Sequence, residues 1–399
     1  MTSSSVSAPV SDVDLFAGDV LADPYAAYRS WRDAGPVVKS SVHPIWIVAR
    51  YADVRAALAD WQSFTSAQGV ALTDEMNAPM IGSVLGTDPP EHDALRSVLT
   101  EKLAPRALAK LRGDIAERAD ALVAEVVARG SFDAVTELAQ RLPVDVVADL
   151  IGLPAEGREH LLSGADAVFA SFGPLDGRMQ ARMPQFMAYI QYIQSFDSKD
   201  KFTPGSWGAA VFDAVEDGRL TPESGMQLLN AYLVAGMDTT VNAISAYIRF
   251  LAEDPELWAA LKADPSLVAS GFEETLRLES PAQGFFRNTT RDVDVDGVLV
   301  PAGSRVLLSF GAANRDERHY PDPDRFDVRR NPVDHLAFGY AVHGCAGQGL
   351  ARIEAQALIG SLLRRVDRIE LAGEAVQHEH PVVRGLGSLP VTVVPAREG

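Results

Sequence analysis

At 399 residues the chain exceeds one small domain, and its 47% hydrophobic and 23% charged side chains exclude wholesale disorder. The 36 basic residues against 54 acidic ones leave a net charge of −18, which argues against wrapping nucleic acid or binding an anionic membrane. A single cysteine rules out an internal disulfide, so the fold needs no oxidising compartment.

No basic residue precedes Arg29, so a charged secretory start is missing and a cytoplasmic location is expected. Residues 1–12 are serine-rich and predict a flexible tail. Neither repeats nor a Gly/Ser or Pro-rich linker follow, which predicts a single domain over 13–399. Pro24 to Ala34 predicts a helix closed by Gly35, and Ile45 to Ala49 a strand. Helical spacing recurs over Asp53 to Phe64, Ala107 to Ala128, Val144 to Ile151, Arg158 to Phe172 and Met183 to Ser195. Ser224 to Leu251 is apolar on nearly every side, as befits a helix through the centre of a large fold. Asp238, Thr239 and Thr240 interrupt it, so it does not read as a membrane span. After a helix over Pro265 to Leu278 come short strands at Val293 to Val300 and Arg305 to Phe310. Tyr320 to Asn331 reads as irregular coil, and a long helix restarts over Cys345 to Val366. The expected fold is mainly α with small β-sheets.

Phe338-Gly339-Tyr340-Ala341-Val342-His343-Gly344-Cys345-Ala346-Gly347 is the most informative segment. A lone cysteine is by default a small buried hydrophobe. This one lies among glycines at the mouth of a helix, where a flat macrocycle can approach the backbone and turn N–H groups can hydrogen-bond a thiolate. The helix amino terminus is further expected to lower the thiol's pKa.

At these residues the chain resembles the cytochrome P-450 superfamily of soluble bacterial haem-thiolate proteins. Phe338, Gly339, His343, Cys345 and Gly347 match its pattern Phe-Gly-x-Gly-x-His/Arg-x-Cys-x-Gly, while Ala341 replaces the usual glycine. The resemblance runs from about Asp23 to Pro395 and implies the P450 fold, with haem b between the long central helix and the cysteine-loop helix, and Cys345 as the iron ligand. Glu274 and Arg277 alone would be a routine surface pair worth roughly a few tenths of a kcal/mol. The resemblance makes them a buried pair joined by Arg330. His92, Arg96, Arg287 and His343 match the residues that contact the haem propionates, which need cationic or N–H donors. His92 and Arg96 could otherwise be a solvated helix face.

Ala235-Gly236-Met237-Asp238-Thr239-Thr240 puts an acid beside two hydroxyls inside an apolar helix. A helix-bending threonine bonded to the carbonyl four residues back would explain it locally. The resemblance instead implies a groove opened over the iron, with Thr239 steadying bound oxygen and Asp238 relaying protons.

Within the superfamily the chain is similar to bacterial para-methoxybenzoate O-demethylases, at Phe172-Gly173-Pro174, Ala235 to Asn242, Ser280 to Arg287 and Arg384 to Pro390. That alignment implies a pocket lined by Phe169, Phe172, Val234, Ala235, Ala282 and Phe285, suited to a planar ring. The Arg-Ser pair that holds the benzoate carboxylate at the start of the long helix is replaced by Asn230-Ala231, and the preceding loop, Asn77 to Leu85, contains no arginine. The expected substrate is therefore a neutral methoxyphenol of the 4-alkylguaiacol type, demethylated by a monomeric enzyme with release of formaldehyde. Hydroxylation of a para-substituted benzoate, a terpene or a fatty acid is the alternative. A haem-binding sensor or carrier and a haem-free helical protein with a structural cysteine are further rivals. Electrons are expected from a ferredoxin and a ferredoxin reductase. Arg96, Lys102, Arg106, Lys110 and Arg112, against the single acid Glu101, form the candidate docking patch; a solvated helix face is the plain alternative.

Overall fold

Thr221 accepts the backbone N–H of Ser224 at 3.1 Å and Pro222 fills the first helical position, so a helix starts at the head of the most apolar stretch. In the computed structural model, which describes residues 7–396, this helix is Pro222–Glu253. Its 32 residues span about 48 Å at 1.5 Å per residue. Leu228, Leu229, Leu233, Ile244, Ile248 and Leu251 along it are buried, each contributing roughly 1.5–3 kcal/mol of hydrophobic transfer. Asp254 ends the helix and caps the next, Pro255–Ala263, by accepting from the N–H groups of Glu256 at 2.9 Å and Leu257 at 3.1 Å. Helices Arg141–Ile151, Leu161–Ala170, Leu267–Glu279 and Gln348–Arg365 pack around this axis.

Beside the helices lies a six-stranded sheet with spatial order Val10–Ser11, Val37–Ser40, Ile45–Val48, Arg305–Ser309, Gly284–Thr289 and Phe64–Thr65. Ile45–Val48 runs parallel to Arg305–Ser309, and Gly284–Thr289 returns antiparallel with Phe285 opposite Leu308 and Arg287 opposite Val306. The two-residue period of a strand puts Phe285 and Arg287 on one face. Smaller sheets join Val366–Leu371, Pro390–Pro395 and Ser131–Asp133, and pair Val293–Val295 with Val298–Val300. The architecture is the mainly α, small-sheet one expected.

The expected tail needs correction. Val10 and Ser11, within the segment expected to be flexible, pair in parallel with Lys39 and Ser40; residues 1–6 lie outside the described ones. The helix expected from Asp53 to Phe64 is Tyr51–Ala59, and the one over Ala107 to Ala128 divides into Pro105–Ala109 and Arg112–Val127. Among the described residues no helix is long and apolar enough to cross a membrane.

Candidate active site

The cysteine loop is built by two residues in left-handed backbone, Gly339 with φ 67° and Ala341 with φ 57°. The second is where the family pattern has glycine, and its methyl group is strained there by about 1–2 kcal/mol. The turn holds because Gly344 N–H donates to the Ala341 carbonyl at 3.0 Å and Cys345 N–H to the Phe338 carbonyl at 2.7 Å. The helix Gln348–Arg365 begins three residues after the cysteine. Burial raises the Cys345 thiol's pKa, with Gly347 and Gln348 N–H groups and Arg96 opposing. The N–H groups of the helix start thus act in the expected direction, against the upward effect of burial.

Across from the loop, the helix Glu91–Glu101 presents His92 and Arg96 on one face. Arg96 Nη2 donates to the Gly344 carbonyl, and the His92 ring lies edge-on to His343 at 4.5 Å between centroids. Burial lowers the pKa of His343 to about 4 although Asp88 stands 3.7 Å away and opposes the shift. Burial also works against the Asp88 anion, but the nearby His343 ring and bonds from Thr65 and Ser66 hold its pKa below the usual carboxylate range. Arg287 is buried, which brings its pKa down to about 10, and the one hydrogen bond of its guanidinium among the described residues goes to the Phe286 carbonyl at 2.7 Å. His92 Nε2 and His343 Nε2 are buried with no hydrogen-bond partner among the described residues. Orphaned buried donors of this kind are costly unless a ligand completes them.

Behind the loop the sequence-predicted triad is assembled. Glu274 accepts from Arg277 Nε and Nη2 at 2.8 Å each, from Asp327 N–H at 2.9 Å and from Arg330 Nε at 3.1 Å.

On the long helix, Ala235 is exposed and Gly236 and Thr239 are partly exposed, while their neighbours Val234, Met237, Asp238 and Thr240 are buried. Thr239 Oγ1 donates to the Ala235 carbonyl at 3.1 Å and the segment stays helical, so the expected groove is not a break in the helix. The local alternative, back-bonding to the residue four before, is the geometry adopted. Asp238 Oδ1 accepts from Asn242 Nδ2 at 3.1 Å, whereas its Oδ2 is buried with no partner among the described residues. Burial, with a smaller contribution from Asp166, pushes this carboxyl up to about 7.

The predicted lining residues form an aromatic chain. Phe169 and Phe172 meet edge to face at 5.7 Å, Phe172 and Phe285 lie 6.2 Å apart, and Phe285 reaches Phe310 at 5.9 Å. Ala282 bridges to Val383 of the carboxy-terminal loop, bringing that loop to the same wall. Sequence reasoning missed three participants: Asp88, Asn242, and the group formed by Asp166 with His378 and His380. The only local signal for the last was two histidines flanking Glu379.

The geometry fits a haem-thiolate protein: a thiol framed by N–H donors, two histidine nitrogens and a buried guanidinium lacking an anion, and an acid–hydroxyl pair on an apolar helix. Buried cationic and N–H donors suit carboxylate-bearing propionates, and the thiol suits iron. Residues 207–377 match the family model described as Cytochrome P450. The chain is 41% identical over 394 residues to cytochrome P450 CYP199A2 of Rhodopseudomonas palustris, covering 97% of this chain and 95% of that protein. It is 35% identical to the cytochrome P450 monooxygenase PikC of Streptomyces venezuelae, over 97% of this chain and 95% of PikC. The crystal structure of P450BioI with an acyl carrier protein bearing hexadec-9Z-enoic acid superposes with a TM-score of 0.86 at 29% identity, covering 94% of this chain and 100% of that one.

The chain belongs to the cytochrome P450 family. It is a monooxygenase of the bacterial type, and the family binds haem b through a cysteine thiolate.

Proposed function

We propose that this enzyme O-demethylates a neutral, para-substituted methoxyphenol, with electrons supplied by a ferredoxin and its reductase. What carries the proposal is the absence of a cation where a benzoate carboxylate would sit. Asn230 Oδ1 is engaged by the buried Tyr189 hydroxyl at 2.7 Å, and Asn77 spends its amide on the backbone of Ala71. Met76, Met80, Val84 and Leu85 of the neighbouring loop pack against the main core, and positions 76–85 contain neither lysine nor arginine. An uncompensated buried carboxylate costs several kcal/mol, whereas an alkyl tail gains from the same wall.

In this reading Cys345 holds the iron, while His92, Arg96, Arg287 and His343 hold the propionates. When bound, haem b supplies the oxidising chemistry that hydroxylates a C–H bond with O₂ and two electrons. The chain's own part is positioning and proton handling. Phe169, Phe172 and Phe285 clamp the ring, with Val234, Ala235 and Ala282 as smaller walls, so that the methoxy carbon is the presented group. Asp238, with its carboxyl near 7, can both hold and release a proton at neutral pH. Thr239 offers Oγ1 one residue away. Hydroxylation of the methoxy carbon gives a hemiacetal that collapses to the phenol and formaldehyde. The second oxygen atom leaves as water with two protons.

Titrating para-methoxybenzoate and 4-alkylguaiacols against the haem spectrum tests the substrate assignment. The neutral compounds should bind tighter and yield formaldehyde in step with product. Tighter binding of the benzoate than of every neutral analogue overturns it.

Ferredoxin docking is supported by the electrostatics. Lys102, Arg106, Lys110 and Arg112 have no ion-pair partner among the described residues, while Glu101 is drawn off to Arg219. Arg96 leaves the patch to bond the cysteine loop. Leu108, between these cations, packs against Gly349 in the first turn after that loop. Raising salt from about 50 to 300 mM should therefore slow ferredoxin-supported turnover severalfold; turnover indifferent to salt counts against it.

A further inference from the structure

A dense titratable cluster stands where the helices Leu161–Ala170 and Gly177–Gln194 and the loop around His378 come together beside the long helix. The Asp166 carboxylate is bonded by His378 Nε2 at 2.6 Å and by Arg182 Nε at 2.8 Å, and His380 Nε2 lies 3.8 Å away. His380 is neutral: burial lowers its pKa to about 4. Its Nδ1 accepts the N–H groups of Val382 at 3.1 Å and Val383 at 2.8 Å, so Nε2 carries the proton and donates to the Asp166 carbonyl at 3.0 Å. At the rim Arg178 meets Glu379 at 3.3 Å, and Arg182 also donates to the Glu379 carbonyl at 2.9 Å.

The cluster reaches the candidate proton-handling acid through packed groups. His378 N–H donates to the Gly385 carbonyl at 2.9 Å. Gly385 is pressed on Asn242, where an added Cβ would sit 1.7 Å from Oδ1. Asn242 in turn donates to Asp238 Oδ1. The remaining oxygen of Asp238 is buried, with no hydrogen-bond partner among the described residues. Beyond the dominant effect of burial, the charges acting on Asp238 are Asp166, which favours its protonated form, and His378 and Arg182, which oppose it.

We propose that Asp166 and His378 are positioning residues for proton handling at Asp238, their charge balance deciding what fraction of its carboxyl is protonated at neutral pH. The proposal rests on the role given to Asp238 above. A buried carboxyl with one free oxygen feels a neighbouring charge through little screening. Removing the Asp166 anion leaves Arg182 beside it and favours ionisation. Removing His378 leaves the Asp166 anion less compensated and favours the protonated acid.

The test is infrared difference spectroscopy of the haem-loaded protein across pH, with the Asp238 carboxyl band assigned by its loss in Asp238→Asn. The band's titration midpoint should move down in Asp166→Asn and up in His378→Gln, each by on the order of half a pH unit. Arg182→Gln should also move it up, and serves if Asp166→Asn folds poorly. Shifts of the same sign in Asp166→Asn and His378→Gln, or no shift in either, overturn the proposal, since a packing role has no reason to give opposite signs. A solvent isotope effect on turnover left unchanged by Asp238→Asn would instead remove the proton-handling role itself, even with the opposite shifts intact.

Discussion

Replacing Glu274 by glutamine tests whether the buried pair behind the cysteine loop holds the fold together. The carboxylate and the Arg277 side chain have no solvent exposure, and Arg330 is 13% exposed. The four bonds to Glu274 come from two chain segments: Arg277 in its own helix, Leu267–Glu279, and the Asp327 N–H and Arg330 in the coil before the cysteine loop. Arg277 also spends Nη1 on the carbonyls of Asn314 at 2.8 Å and Pro323 at 2.7 Å, so it cannot swing away to water. A glutamine keeps one acceptor but turns an NH₂ toward guanidinium donors and leaves two cations without their anion. Breaking a buried pair from one side costs about 3–5 kcal/mol, a large fraction of the roughly 5–15 kcal/mol that holds a domain together. Urea unfolding followed by circular dichroism should show that loss, and haem absorption should fall because the coil carrying Arg330 leads into the cysteine loop. Arg330→Lys keeps a charge at the partly exposed end and should cost only about 1–2 kcal/mol. Unfolding of Glu274→Gln within about 1 kcal/mol of the parent, with haem retained, would refute the reasoning.

Ala341→Gly removes the methyl group from a residue at φ 57°. The relief of about 1–2 kcal/mol exceeds the 0.4–1 kcal/mol of added unfolded-chain freedom, so the urea midpoint should rise by the equivalent of about 0.5–1 kcal/mol, and a fall contradicts the strain. Glu273 gives a pH prediction. Burial alone would raise its pKa, but bonds from Arg352 at 2.7 and 2.9 Å and from His335 at 3.2 Å hold it at about 2. A depressed carboxylate stabilises fully above its unfolded pKa and loses that contribution as pH falls through the folded one. Roughly 3 kcal/mol should therefore drain away between about pH 4.5 and 2, and Glu273→Gln should flatten this acid limb in a circular-dichroism titration. An acid limb identical in the variant would show that the depression does not exist.

What the sequence could say about this molecule follows from how far apart the interacting residues lie. The cysteine loop, the Glu274–Arg277 pair and the Asp238–Thr239 step each lie within ten consecutive residues, so their spacing alone carries a physical meaning. The long helix announces itself for the same reason: 32 residues with one capping threonine at the head need no distant partner to be recognised. Strands fared worse. Val37–Ser40 and Gly284–Thr289 went unread because each is short and makes sense only through its neighbours, the latter pairing with Phe64–Thr65 more than two hundred residues upstream. The helix Trp207–Glu216 had its signals in Ser206 and Gly218, yet ten residues between loops leave little periodicity to detect. Residue roles show the same divide. Asp88 has no local sign of its role, because Thr65 and Ser66, which bond its carboxylate, and His343, 3.7 Å away, are all distant in the chain. Asp166 and His378 are separated by 212 residues, and neither has a neighbour that hints at the other. Motifs therefore locate the chemistry, while the charges that tune it come from contacts that only the folded chain makes, which is why the Asp238 environment, rather than Asp238 itself, was the part left unread.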